Sequence, residues 1–202
     1  DTSLWQGTTR DRRLVGYRFD LSNRSGPIRW SLVTEESFNQ ELTKDEPPTT
    51  VPWRTLTRRP EIVVGTDVRV PVFGRNFPLN FEVTYGDYTE RQTSTTIVRD
   101  KRTSALMQLR STSIPLGSQL TLSVGGYARG YWYGNSDSRL VLSSNYTATY
   151  RPTSRVTLQG RYEYLDESGF TPFRFDRITP RERLTGSVQY RTANLNVTVS
   201  SA

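Results

Sequence analysis

The residues best suited to chemistry in this chain are arginines set at alternating positions. Arg155, Arg161 and Glu163 share one side of the stretch Arg155–Leu165, and Arg183, Gln189 and Arg191 share one side of the stretch Arg183–Arg191. A guanidinium presents a planar fork of N–H donors that fits phosphate and carboxylate oxygens in pairs. These six positions therefore suggest holding an anion rather than making or breaking bonds. The net charge points the same way: +7, from 27 Lys and Arg against 20 Asp and Glu. Such a balance suits nucleic acid, a phosphate-bearing ligand or an anionic lipid surface. The bland alternative is a solvated, ion-paired face in which Glu163 neutralises its neighbours.

Catalytic chemistry has little to work with. The chain contains no histidine and no cysteine, which removes the usual general base, thiolate nucleophile and soft metal ligands. Paired carboxylates occur at Glu35-Glu36, Asp45-Glu46 and Asp166-Glu167. Adjacent strand residues point to opposite faces, so none of these pairs makes a dyad. Gly125-Gly126 opens no helix and reads as a bend in a strand rather than a phosphate loop. The Asn-x-Ser/Thr matches at Asn23, Asn145 and Asn196 lie in or near strands, as chance would place them. Arg58-Arg59 lies near Trp53, but aromatics are not interleaved on one basic face, which argues against nucleic acid. The expectation is a non-enzymatic protein with no catalytic residues, no metal and no cofactor.

The elements that carry the arginines are strands. In RVTLQGRYEYL, Val156, Leu158, Gly160, Tyr162 and Tyr164 fall on one face and Arg155, Thr157, Gln159, Arg161 and Glu163 on the other. A period of two over eleven residues is an amphipathic strand. A turn is expected at Asp166–Gly169. The same rhythm runs through Arg13–Asn23, Ile28–Phe38, Glu61–Val70, Leu79–Tyr85, the region from Ala105 to Tyr150, and Leu195–Ser200. Gln40–Arg59, with Pro47-Pro48 and Pro52, reads as one long surface loop. The sum is all-β: an antiparallel up-and-down meander of about ten strands, mostly ten to eleven residues long, with no helix. Residues 1–202 form a single domain. The opening Asp1-Thr2-Ser3 reads as an internal start, so the expectation is an incomplete segment of a longer protein.

Two features bear on what covers the apolar face. The hydrophobic fraction is 34%, below the ~45–50% usual for globular domains. The strands are about twice the usual ~5–6 residues and match the ~9–11 needed to cross a bilayer. Tyrosines at strand ends (Tyr85 and Tyr88, Tyr146 and Tyr150, Tyr162 and Tyr164) suit the headgroup level. The reading is part of a transmembrane outer-membrane β-barrel, with the bacterial outer membrane as its location and outer-membrane lipid as its surroundings. A soluble or cell-surface β-rich binding module stays open beside it.

Two motifs bring a family into view. Thr57-Arg58-Arg59-Pro60-Glu61-Ile62 resembles an Arg-x-Pro-Glu-type strand entry, carried by Arg59, Pro60 and Glu61. Gly169-Phe170-Thr171-Pro172-Phe173-Arg174-Phe175-Asp176 resembles a Gly-x-Ser-Pro-Phe-x-Phe-Asp-type segment, with Thr171 where Ser is common. Both are similar to the barrel of the lipopolysaccharide-assembly outer-membrane protein family (LptD, also called OstA or Imp). The resemblance covers about residues 55–191. It implies a barrel segment that inserts lipopolysaccharide, or a related glycolipid, into the outer leaflet. It also implies a plug lipoprotein and a periplasmic bridge protein as partners. The six polar-face residues would then meet the phosphorylated sugar. Another outer-membrane barrel, a porin or an uptake receptor, is the alternative.

Overall fold

The computed structural model describes residues 2–9, 12–41, 55–72, 74–92, 96–192 and 196–201. Eleven strands form one sheet in sequence order, each antiparallel to the next. They are β1 (Thr2–Thr9), β2 (Arg12–Ser25), β3 (Ile28–Glu41), β4 (Thr55–Val72), β5 (Arg75–Arg91), β6 (Ile97–Leu116), β7 (Leu120–Tyr133), β8 (Ser138–Tyr150), β9 (Val156–Gly169), β10 (Arg181–Arg191) and β11 (Asn196–Ser201). The all-β antiparallel meander expected from the alternation is present. Among the described residues there is no helix, and β1 and β11 are not paired with each other.

Several boundaries differ from expectation. There are eleven strands rather than about ten, and β6 reaches 20 residues. The expected loop over 40–59 shortens at both ends: β3 runs to Glu41 and β4 begins at Thr55. Its centre, 42–54, lies outside the described residues. The expected turn at Asp166–Gly169 is the last part of β9. Cross-strand pairing with Arg139–Leu142 holds those polar residues extended. Local turn chemistry yields when a neighbouring ladder supplies the hydrogen bonds.

Register makes the faces continuous. Directly paired residues point to the same side, and one row can be followed across the sheet: Leu21 to Leu32, Ile62, Tyr85, Thr103 and Trp132. A second row runs Tyr150, Leu158, Val188 and Val199. This apolar face stays open to solvent, with Val83 at 51% and Leu184 at 71% exposure. The total accessible area, 13573 Å², exceeds the roughly 9,700 Å² expected of a compact globule of this mass.

The opposite face is polar and cross-linked by ion pairs. Arg29 reaches Asp67 at 3.1 Å and Glu82 at 3.3 Å. Arg110 reaches Asp67 at 2.6 Å, and Arg129 reaches Glu82 at 3.6 Å. At one end of the sheet lie the connections after β3, β5, β7 and β9. At the other lie the connections after β2, β4, β6, β8 and β10.

A buried cluster beneath a docked loop

The chain leaves β9 and folds back over the polar face. Gly169 is the pivot. Its φ is +89°, and a Cβ there would sit 2.2 Å from the Ser138 carbonyl oxygen, so a side chain is excluded by conformation and by space. Phe170 N–H donates to that same carbonyl at 2.9 Å. The loop 170–180 then crosses β8, β7 and β6 to reach β5. Four strand spacings is about 19 Å; the five residues from Gly169 to Arg174 span up to about 17 Å, and the Glu90 side chain meets the Arg174 backbone there.

Three kinds of contact hold the loop. First, Thr171 closes a tight turn: its Oγ1 accepts from Phe173 N–H at 3.2 Å and donates to the Phe173 carbonyl at 3.2 Å. A hydroxyl is what this turn uses, so Thr serves as Ser would. Second, Phe173 is fully buried. It meets Tyr88 edge-on at 6.0 Å between centroids, Tyr133 at 5.9 Å and Phe175 at 5.0 Å. Third, Asp176 takes Arg102 Nη1 at 2.6 Å and the Tyr133 hydroxyl at 3.0 Å, while Arg139 donates to its backbone carbonyl. Burial pushes the Asp176 carboxyl above the usual carboxylate range, and the charge of Arg102 pulls it back.

The wall supplies matching groups. Glu90, 3% exposed, accepts from Arg174 N–H at 2.7 Å and Phe175 N–H at 3.2 Å. Gln92 donates to the Pro172 carbonyl at 2.8 Å. Arg102 lies over the Tyr88 ring at 4.6 Å, the Phe175 ring at 5.2 Å and the Tyr131 ring at 5.4 Å. Those π faces meet a guanidinium whose Nε has no hydrogen-bond partner.

The two sequence motifs meet at Tyr88. The Arg59-Pro60 segment is not a strand entry; it lies inside β4, as a bulge. Register shifts there against both neighbours, between Val33 and Glu35 on β3 and between Arg58 and Glu61 on β4 against β5. Pro60 has no N–H for the ladder, so a bulge is where it fits. The extra residue puts Arg58 and Glu61 on the same polar face, 3.5 Å apart, and Arg59 pairs with Glu36. Glu61 accepts the Tyr88 hydroxyl. Tyr88 thus takes Glu61 at its hydroxyl and Phe173 and Phe175 against its ring.

The six polar-face candidates separate into two groups. Arg161 and Glu163 form an ion pair at 2.5 Å, and Arg183 sits opposite Glu163 in the ladder. Gln189 pairs with Thr157 and Arg191 with Asn196, toward the far end of β10. Arg155 is not on a strand face: it precedes β9, and its carbonyl accepts from Arg191 N–H at 2.8 Å. Eight residues of strand, about 27 Å, part Arg155 from Glu163, so the six do not make one site.

Glu90, Arg102, Tyr133 and Arg139 were not singled out by sequence reasoning as site residues, and Tyr88 was given a different place. Tyr88 was expected at a membrane interface beside Tyr85, yet it is 1% exposed while Tyr85 is 47% exposed. Parity carried the signal: residues three apart on a strand face opposite ways. Tyr131 and Tyr133 flank the outward Trp132 by the same rule. Among the described residues no group of acidic side chains is placed to hold a metal ion.

The fold and its buried cluster define a class: a long-stranded amphipathic antiparallel sheet with a loop docked on its polar side. No family model matches the chain, and no curated protein matches its sequence.

Proposed function

We propose that this chain is a segment of an outer-membrane β-barrel that passes lipopolysaccharide, or a related glycolipid, into the outer leaflet of a bacterial outer membrane. The observation that carries the reading is the apolar face, which every described strand from β2 to β11 helps to build and which nothing among the described residues covers. Lipid is a solvent in which such a face is stable, and water is not. The ion-paired polar face then lines a wet interior. The work is physical, without bond chemistry. Acyl chains move along apolar surface, and the phosphorylated sugar moves past arginines able to form charge-assisted hydrogen bonds. The motif at Gly169–Asp176 is the resemblance that supports the family reading. A plug lipoprotein and a periplasmic bridge protein are the partners that reading brings.

A specific observation favours a second reading. A loop folded onto the interior wall narrows a lumen, as a diffusion pore requires for size selection. Conductance separates the two: small-ion current across a planar bilayer that rises when the loop is deleted supports a pore. The membrane assignment is tested by detergent dependence. The chain is expected to stay monodisperse only in detergent or lipid; a monodisperse monomer in plain buffer sinks it.

A further inference from the structure

We propose that the β9–β10 loop is a phosphate-binding platform, in which Arg174, Arg177 and Arg181 take the phosphate groups of an amphiphile at the loop end of the sheet. The proposal rests on the outer-membrane reading and names the groups that would meet the ligand.

The argument is a division of labour within eleven residues. Thr171, Phe173 and Asp176 are buried against the wall, while Arg174, Arg177 and Arg181 are exposed. The only acidic residue of 170–181 is Asp176, and its carboxylate is already taken by Arg102 and Tyr133. Glu90 lies beneath the loop and is turned to the backbone N–H groups of Arg174 and Phe175. Glu182 faces the other way, accepting the Tyr162 hydroxyl at 2.9 Å on the apolar side. Among the described residues, no carboxylate forms an ion pair with Arg174, Arg177 or Arg181. Three cations therefore stand on a segment whose backbone is fixed by buried anchors, with Arg174 Nη1 making a long contact to the Gln92 carbonyl at 3.5 Å. Guanidinium groups suit bidentate phosphate contact. Elsewhere on the polar face Arg29, Arg110 and Arg129 are matched, while Arg69, Arg183 and Arg191 are exposed. What sets the loop apart is that three such arginines fall within one short segment whose backbone is fixed by buried anchors.

The experiment uses the full chain in neutral detergent micelles doped with diphosphoryl lipid A. Binding is compared for the parent, for R174Q/R177Q/R181Q, and for R69Q/R75Q/R151Q, which removes three exposed arginines at the opposite end. Far-ultraviolet circular dichroism checks that all three keep the same β content. The loop variant should lose about a hundredfold in affinity, near a fivefold step per arginine at an anionic surface. The control variant should lose less than about threefold, and dephosphorylated lipid A should bind the parent no better than the loop variant. Equal losses in the two variants would mean bulk charge and overturn the proposal, as would an unchanged loop variant. Full displacement by equimolar inorganic pyrophosphate would make the ligand free phosphate and overturn the amphiphile. Detergent independence would sink the membrane reading while leaving the phosphate measurement interpretable by itself.

Discussion

Strands β5–β8 and strands β9–β11 share an apolar face but differ on the polar one. Over β5–β8 the loop 170–180 makes a roof, and Tyr88, Tyr131, Tyr133, Val141 and Phe173 form a buried cluster under it. Leu56, Val98, Tyr127, Leu165 and Ile178 pack around the cluster. Over β9–β11 there is no roof. Arg183 is exposed, and the cross-strand row Ala148, Gly160, Gly186 and Ser201 leaves a groove of about 550 Å³ on the apolar side. A single antiparallel sheet with both faces open has nowhere to build a core. Where this sheet acquires one, the chain has folded a loop back and filled the space with aromatic rings and a buried Arg–Asp pair. Order in β5–β8 is therefore tertiary, while β9–β11 depends on ladder hydrogen bonds and on whatever covers its apolar face.

The largest break in this contrast should come from the anchors. Asp176→Ala leaves Arg102, with a side chain only 10% exposed, without its carboxylate. Removing one partner of a buried pair costs roughly 3–5 kcal/mol. Undocking of the loop caps that cost, so the readout is local: rapid proteolysis within 170–180, with the β9–β10 ladder intact. Phe173→Ala should do the same at about 3 kcal/mol, and unchanged cleavage in both variants would mean that the roof is not held by these contacts.

The unroofed region answers to a different substitution. Leu158→Arg on the apolar face should weaken assembly into lipid vesicles by ~2–4 kcal/mol near the bilayer midplane. Gln159→Arg, one residue along and on the polar face, should leave assembly nearly unchanged. Equal effects would show that both faces of β9 are wet.

Smaller effects sharpen the comparison. Tyr88→Phe keeps the ring under the roof and removes only the bond to Glu61. The loss should be near 1.5 kcal/mol, the lower range for hydrogen bonds to charged groups. A double-mutant cycle with Glu61→Gln should show the two coupled; additive losses would uncouple the β4 bulge from the roof. Arg161→Gln should change stability least, by less than about 1 kcal/mol, because its guanidinium is more than half exposed.

Strand parity made most of the sheet legible. Val156, Leu158, Tyr162 and Tyr164 were placed on one face by alternation alone, and the ladders set Val156 beside Tyr190, Leu158 beside Tyr150 and Val188, and Tyr162 beside Tyr146 and Leu184. The same alternation failed where a residue's partner was remote. The sequence Asp166-Glu167-Ser168-Gly169 has the composition of a turn, and only β8 alongside makes it strand. Thr171–Asp176 stood out for its composition, but nothing local showed that it would cross three strands to Tyr88 and Glu90. Arg102 and Arg139 look like ordinary polar-face arginines, and burial by a distant loop is what distinguishes them.

The sequence by itself determined the class of element, the two faces and the meander, because those depend on a period of two and on connections that are mostly short. The tertiary structure alone decided which polar residues are buried and which arginines are paired with carboxylates. Those outcomes depend on contacts between residues some eighty positions apart, such as Glu90 with Arg174 and Phe175. A local pattern carries no record of the partner that will desolvate it.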